Sequence, residues 1–247
     1  MERESITSKN AKSFAKLLTG PMVEISVGPE QKRWSLHRDL LCHHSSFFEV
    51  EFCGHEVMRR DDQDLRLDLP DEDPADFELL VKSLYHGELD GIDSNLTEEE
   101  IYELAVKNLK LYLLCEKFYL NVLKNQAMDT YRQGLYQAGL VPDAQETDEI
   151  YRQVPRDSPC RRLMTDIAAR QIMDPAVTNG ADKYRQCFEN NPDFAVDLVN
   201  AIRRMSGGIL FDDPTAESGC LYHDHTDGST CRSAKSVPLS NGKTYAT

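Results

Sequence analysis

Apolar and polar positions alternate from Met22 to Val27, which places Val23, Ile25 and Val27 on one face of a half-buried strand. Gly28 and Pro29 open a polar turn, after which Trp34 and Leu36 alternate again, so the pair predicts an antiparallel hairpin. Upstream, Phe14, Leu17 and Leu18 fall at helical spacing and predict an amphipathic helix over Ser8 to Leu18, ended by Gly20 and Pro21. Downstream, His37 stands where strand gives way to helix. Leu40 and Leu41, then the polar pair Ser45 and Ser46, then Phe47, Phe48, Val50 and Phe52, predict two short helices. Ser45 or Ser46 is expected to cap the second, because a short hydroxyl can accept the unpaired amides of its first turn.

The pattern then repeats on a longer scale. Arg59 to Asp64 is a charged connector and Leu65 to Leu69 a third strand. Asp73 is placed to cap a helix over Pro74 to Tyr85, whose Phe77, Leu80, Val81 and Leu84 form a core stripe; Pro74 suits the first turn, where its missing amide hydrogen costs nothing. Thr97 and Glu100 form a capping box that starts a helix running to about Cys115, and a second follows over about Val122 to Gln133. Gly134 to Pro142 reads as a boundary. Beyond it the pattern is helical and more polar, with a start at Ser158–Pro159 placing Leu163, Ile167 and Ile172 on one face, a segment over Asn179 to Asn190, and a helix over Asp193 to Met205. Phe194, Leu198, Val199 and Ile202 are the apolar residues of that last helix, and Gly207–Gly208 stops it. From Phe211 onward apolar residues are too sparse for a packed core, and Ser233 to Thr247 are expected to be disordered.

Composition narrows the class. With 247 residues, 40% of them hydrophobic and 28% charged, the chain can hold one generous domain or a small one with an appendage. A formal charge of -14 argues against a nucleic-acid clamp, which needs a concentrated basic face. The charged start, Met1 to Glu4, does not resemble a secretory signal, and no apolar run has the length of a membrane span, so a cytoplasmic or nuclear location is expected. The seven cysteines are an odd number, consistent with reduced thiols, several of them buried.

Candidate chemistry is thin. There is no phosphate-cradling glycine loop with a lysine, no Gly-x-Ser-x-Gly elbow and no His-Glu-x-x-His, so no enzyme is expected. His37 has no nucleophile or acid beside it and reads as a hydrogen-bonded ring. Cys42, His43 and His44 are adjacent on a helix and point about 100° apart, which keeps them from converging on one ion. Cys220, His223, His225 and Cys231 could supply a closed tetrahedral set for structural zinc, which would fold a segment that lacks a core; a loose tail holding two cysteines accounts for the same residues. A disulfide between Cys220 and Cys231 is disfavoured in a reducing compartment.

The run Trp34-x-Leu36-His37-Arg38-x-Leu40-Leu41-x-x-x-Ser45-x-Phe47-Phe48 resembles the BTB/POZ domain, in particular the fungal BTB proteins with little else attached. Leu67 to Pro74, with Phe77 and Leu84-Tyr85-His86-Gly87, is similar to a second block of that family. Leu111-Tyr112, Leu114 and Lys117-Phe118, followed by Leu123 and Asn125, are similar to a later helix, and the tail carries the family's Cys-x-Tyr-His-x-His run. The resemblance implies an α+β BTB/POZ fold, a small three-stranded sheet capped by helical hairpins, over about residues 8–135. A helical extension over 136–210 and a tail over 211–247 would follow, the tail possessing the candidate zinc ligands and the first domain needing no cofactor.

It further implies a non-enzymatic protein–protein interaction and homodimerisation module. Trp34, His37, Leu41, Ser45 and Phe48 would define the fold, and Phe14, Leu17, Leu18 and Arg38 the dimer interface. The same apolar helix could instead pack on its own domain. The alternative function is a substrate-recruiting adaptor of a cullin-type ubiquitin ligase, with Phe52, Val57 and Met58 facing the cullin. Two departures bear on these expectations. The family's Asp before the first strand falls at Met22, and Arg59 stands where ligase adaptors carry Glu. Partners are therefore expected to be a second copy and other proteins, not nucleic acid or membrane.

Overall fold

The computed structural model describes residues 11–54, 65–89, 91–93, 95–176 and 180–207. A short helix α1 (Ala11–Leu17) leads into strand β1 (Met22–Val27), which pairs antiparallel with β2 (Lys32–His37), Ile25 facing Trp34 and Val23 facing Leu36. Helices α2 (Arg38–His44) and α3 (Ser46–Cys53) follow. Strand β3 (Arg66–Leu69) then lies on the other side of β1, parallel to it, with Ile25 beside Leu67, to give the order β2-β1-β3. A parallel pair needs a crossover, and α2 with α3 supplies it. Val23, Ile25 and Val27 are at most 1% exposed, as the alternation of β1 predicts.

The helix starts follow from local chemistry. Ser45 accepts the Phe48 amide at 3.0 Å and caps α3, while its own hydroxyl donates to the Phe118 carbonyl at 2.6 Å. Asp73 accepts the Ala75 amide at 2.7 Å and starts α4 (Pro74–His86) with Pro74 in its first turn. Thr97 and Glu100 form both bonds of the capping box that begins α5 (Glu98–Lys117). Helix α6 (Asn121–Ala138) runs five residues past the Gln133 end predicted from sequence. Gly134 does not stop it. A Cβ there would come within 2.7 Å of the Ala105 Cβ, so the glycine lets α5 and α6 approach closely.

Beyond α6 the chain forms α7 (Ala144–Gln153), α8 (Pro159–Met173), a 3-10 turn at Gly180–Tyr184, α9 (Arg185–Asn190) and α10 (Pro192–Met205). In α8 the buried face is Cys160, Met164, Thr165, Ala168 and Ala169, with Leu163 and Ile167 half-buried on its flank. In α10 Phe194 and Leu198 are buried but Val199 is 64% exposed, so the apolar stripe is narrower than its composition implies. One hydrophobic cluster runs without interruption from Val23 through Tyr131, Met164 and Phe194 to Ala201. Residues up to Ile202 make one compact unit; from Arg203 a second begins, of which only Arg203 to Gly207 are described.

Polar ties also cross this core. Tyr112 and Ser158 share a hydrogen bond at 3.1 Å, joining α5 to the cap of α8. Asp148, fully buried on α7, accepts from Arg152 at 2.6 Å, from Asn190 at 2.8 Å and from Asn191 at 2.6 Å. That carboxylate fastens α7 to the end of α9.

Candidate protein-interaction surface

Helix α1 is seven residues long and none of them is buried, although Phe14 and Leu17, with Leu18 just past its end, lie half-covered along it. It rests on α2 and stops at Thr19, whose hydroxyl donates to the Lys16 carbonyl at 2.9 Å. Gly20 then passes so close to Asp39 that a Cβ would meet its carboxylate at 2.5 Å. The backbone amide of Arg38 donates to the Pro21 carbonyl at 3.0 Å, tying the start of α2 to the turn that follows α1. The Arg38 guanidinium lies 3.3 Å from the Asp39 carboxylate, both partly exposed at 25% and 39%. Arg38 thus has a carboxylate in its own chain, at a position the sequence pattern did not single out. Met22, where the family's Asp would fall, is 44% exposed and pairs across the sheet with His37.

The other singled-out residues lie behind this surface. Leu41 and Phe48 are at most 1% exposed; Phe48 packs against Phe52 and Phe118 with ring centroids 6.0 and 5.1 Å away. Trp34 is half-buried and meets Phe77 edge-on at 5.1 Å. His37 is held by Tyr85, whose hydroxyl accepts the His37 amide at 3.1 Å and lies 2.8 Å from Nδ1. One hydroxyl thus ties both the backbone and the ring of His37 to α4. Sequence reasoning had not named Tyr85 as that partner, although Leu84-Tyr85-His86-Gly87 stood out as a block.

Phe52 requires a correction as a cullin-facing residue. It is 1% exposed and stacks on Phe48, one turn earlier on the buried side of α3, so it supports that helix from within and offers no surface to a partner. Val57 and Met58 lie outside the described residues, as do Cys220, His223, His225 and Cys231.

Cys42 and Cys53 bring their sulfurs to 2.7 Å, joining α2 to α3. Burial pushes the Cys42 thiol well above its ordinary range, and the hydrogen bond to Cys53 adds to that, so the protonated form is favoured over a reactive thiolate. The rings of His43 and His44 meet edge-on at 5.0 Å. Among the described residues no three His, Cys, Asp or Glu side chains stand together in a way that could hold a metal ion, and no helix is long and apolar enough to cross a membrane.

A comparison with known protein families matches residues 15–122 to the BTB/POZ domain. No curated protein matches the chain. The matched span begins inside α1 and ends at the start of α6, enclosing the whole sheet and the Arg38 to Phe52 crossover. Residues 15–122 are therefore a BTB/POZ domain, an α+β module whose work is protein–protein interaction.

Proposed function

We propose that the chain is a non-enzymatic scaffold that pairs with a second copy of itself through α1 and presents its BTB/POZ domain to other proteins. The observation that carries this is the surface position of α1, which buries none of its residues while Phe14, Leu17 and Leu18 stay half-exposed. Removing such a stripe from water yields about 25 cal/mol per Å². A two-fold mate covers the same stripe on both copies with one contact, and a stable dimer requires about 1,200–2,000 Å² in total. Arg38 and Asp39, beside the foot of α1, would stand at the polar margin of that contact.

Light scattering after size exclusion tests the pairing. The wild-type chain is expected at twice its single-chain mass, and a Phe14→Asp, Leu18→Asp variant at the single-chain mass with an unchanged helical spectrum. A wild-type protein that stays at the single-chain mass would overturn the dimer. Recruitment of a cullin-type ligase is the alternative use of the same module, and capture by a cullin amino-terminal domain is its test.

A further inference from the structure

A groove of about 820 Å³ opens between α5, α7 and the turn joining β3 to α4, and no residue of α1 to α3 lines it. Its floor is the stripe Val106, Leu109 and Leu113 of α5, faced by Ile150 of α7. These α5 positions recur every three or four residues, so they share one helix face over about 11 Å. Val106 and Leu113 are half-buried, and the part of each that stays accessible faces the groove. Both ends are held open by α5 itself. Tyr102, one turn before Val106, donates to the Glu146 carboxylate of α7 at 2.6 Å. Lys117, one turn after Leu113, pairs with Glu72 of the β3–α4 turn.

The rim has one dominant sign: seven carboxylates line the groove against two lysines, Lys110 and Lys117. Asp71 and Asp76 stand on one wall, Glu146 and Glu149 on the other. Asp76 feels both burial and these charges. Partial burial raises its carboxyl above the usual range, neighbouring Asp73 and Glu72 raise it further, and Lys110 offsets only part of that.

We infer that this groove seats a basic amphipathic helix of another protein, its apolar side chains against Val106, Leu109, Leu113 and Ile150 and its lysines or arginines along the two acidic walls. Charge complementarity selects this occupant, because an acidic or neutral segment would leave the carboxylates facing one another across a drying contact. A straight apolar floor on one helix, walled by α7 on one side and the turn into α4 on the other, suits an added helix with apolar residues at i, i+3, i+4 and i+7. The inference rests on the interaction-module reading but uses a surface separate from α1.

The test is fluorescence anisotropy with a labelled leucine–lysine helical peptide about four turns long and its leucine–glutamate counterpart. The full chain is compared with a rim pair, Asp71→Lys with Glu149→Lys, and with a remote pair of equal charge change, Glu30→Lys with Glu51→Lys. The basic peptide is expected to lose about tenfold in affinity or more with the rim pair and about twofold or less with the remote pair. Val106→Ala is expected to weaken it while leaving the melting temperature close to wild type. Equal weakening by both charge pairs would assign binding to net charge alone and overturn the inference, as would equal binding of the acidic peptide. A rim pair that changes the oligomeric mass without changing peptide binding would make the occupant a second copy, again overturning it. The Phe14→Asp, Leu18→Asp measurement reads α1 separately, so a failed dimer and a failed groove are distinguishable.

Discussion

Truncating Phe48 to alanine is expected to cost about 3–5 kcal/mol and to leave the domain largely unfolded at physiological temperature. Phe48 is fully buried, and its ring meets Phe47, Phe52 and Phe118 at centroid distances of 5.3, 6.0 and 5.1 Å. Its backbone amide is also the group that Ser45 caps, and Ser45 in turn donates to the carbonyl of Phe118. The cavity left by alanine would open at the point where α3 is tied to the end of α5. Urea denaturation followed by circular dichroism measures the cost. Phe48→Leu, which keeps most of the volume, is expected to lose less than half as much. Equal losses in the two variants would mean that ring packing is not what the site supplies.

The second large effect is expected at Asp148. Replacement by alanine removes three charge-assisted hydrogen bonds and leaves the Asn190 and Asn191 amides without their acceptor, which together cost on the order of 3 kcal/mol. Arg152, 55% exposed in its side chain, and exposed Asn190 can return to water, so the loss comes chiefly from the half-buried Asn191 amide and from α9. Asp148→Asn tests charge against shape. It keeps the volume but places a donor where three donors already converge, and it is expected to lose nearly as much as alanine. Hydrogen exchange should show the α7 and α9 amides opening before those of β1. Unchanged exchange in α9 would mean that Asp148 does not fasten it.

The chain disclosed most where the governing physics is local. The alternation of Met22 to Val27 set β1 and its buried face, and the side chains of Asp73 and Thr97 set the starts of α4 and α5 because capping needs only residues two or three positions away. Helix α7 was not legible from periodicity, since its ten residues AQETDEIYRQ hold only Ala144, Ile150 and Tyr151 as apolar groups. A signal was nevertheless present: Asp143 and Glu146 form a capping box with bonds of 2.8 and 2.9 Å. The Asp148 tie could not be read at all. Its asparagine partners lie 42 and 43 residues away, and no pattern marks a buried carboxylate.

The interaction surface divides in the same way. Phe14, Leu17 and Leu18 were visible as a helical stripe, whereas the Asp39 carboxylate beside Arg38 gained meaning only from geometry. Phe52 was legible as apolar but not as inward-facing, because its direction depends on where α3 sits over Phe118. The acidic groove draws on the turn before α4, on α5 and on α7, and its shape exists only once those distant pieces meet.

The unbroken cluster from Val23 to Ala201 has a consequence for how the chain can be cut or melted. Cleaving after residue 122, where the family match ends, would remove Tyr131, Leu135 and Met164, strip Ala105 and Tyr112 of α5 of the cover that α6 and α8 give them, and lose the Tyr112–Ser158 bond. The later helices thus act as a permanent lid on the back of the module: a shortened version would be sticky and prone to clump, and the intact unit should lose its structure in a single sharp step.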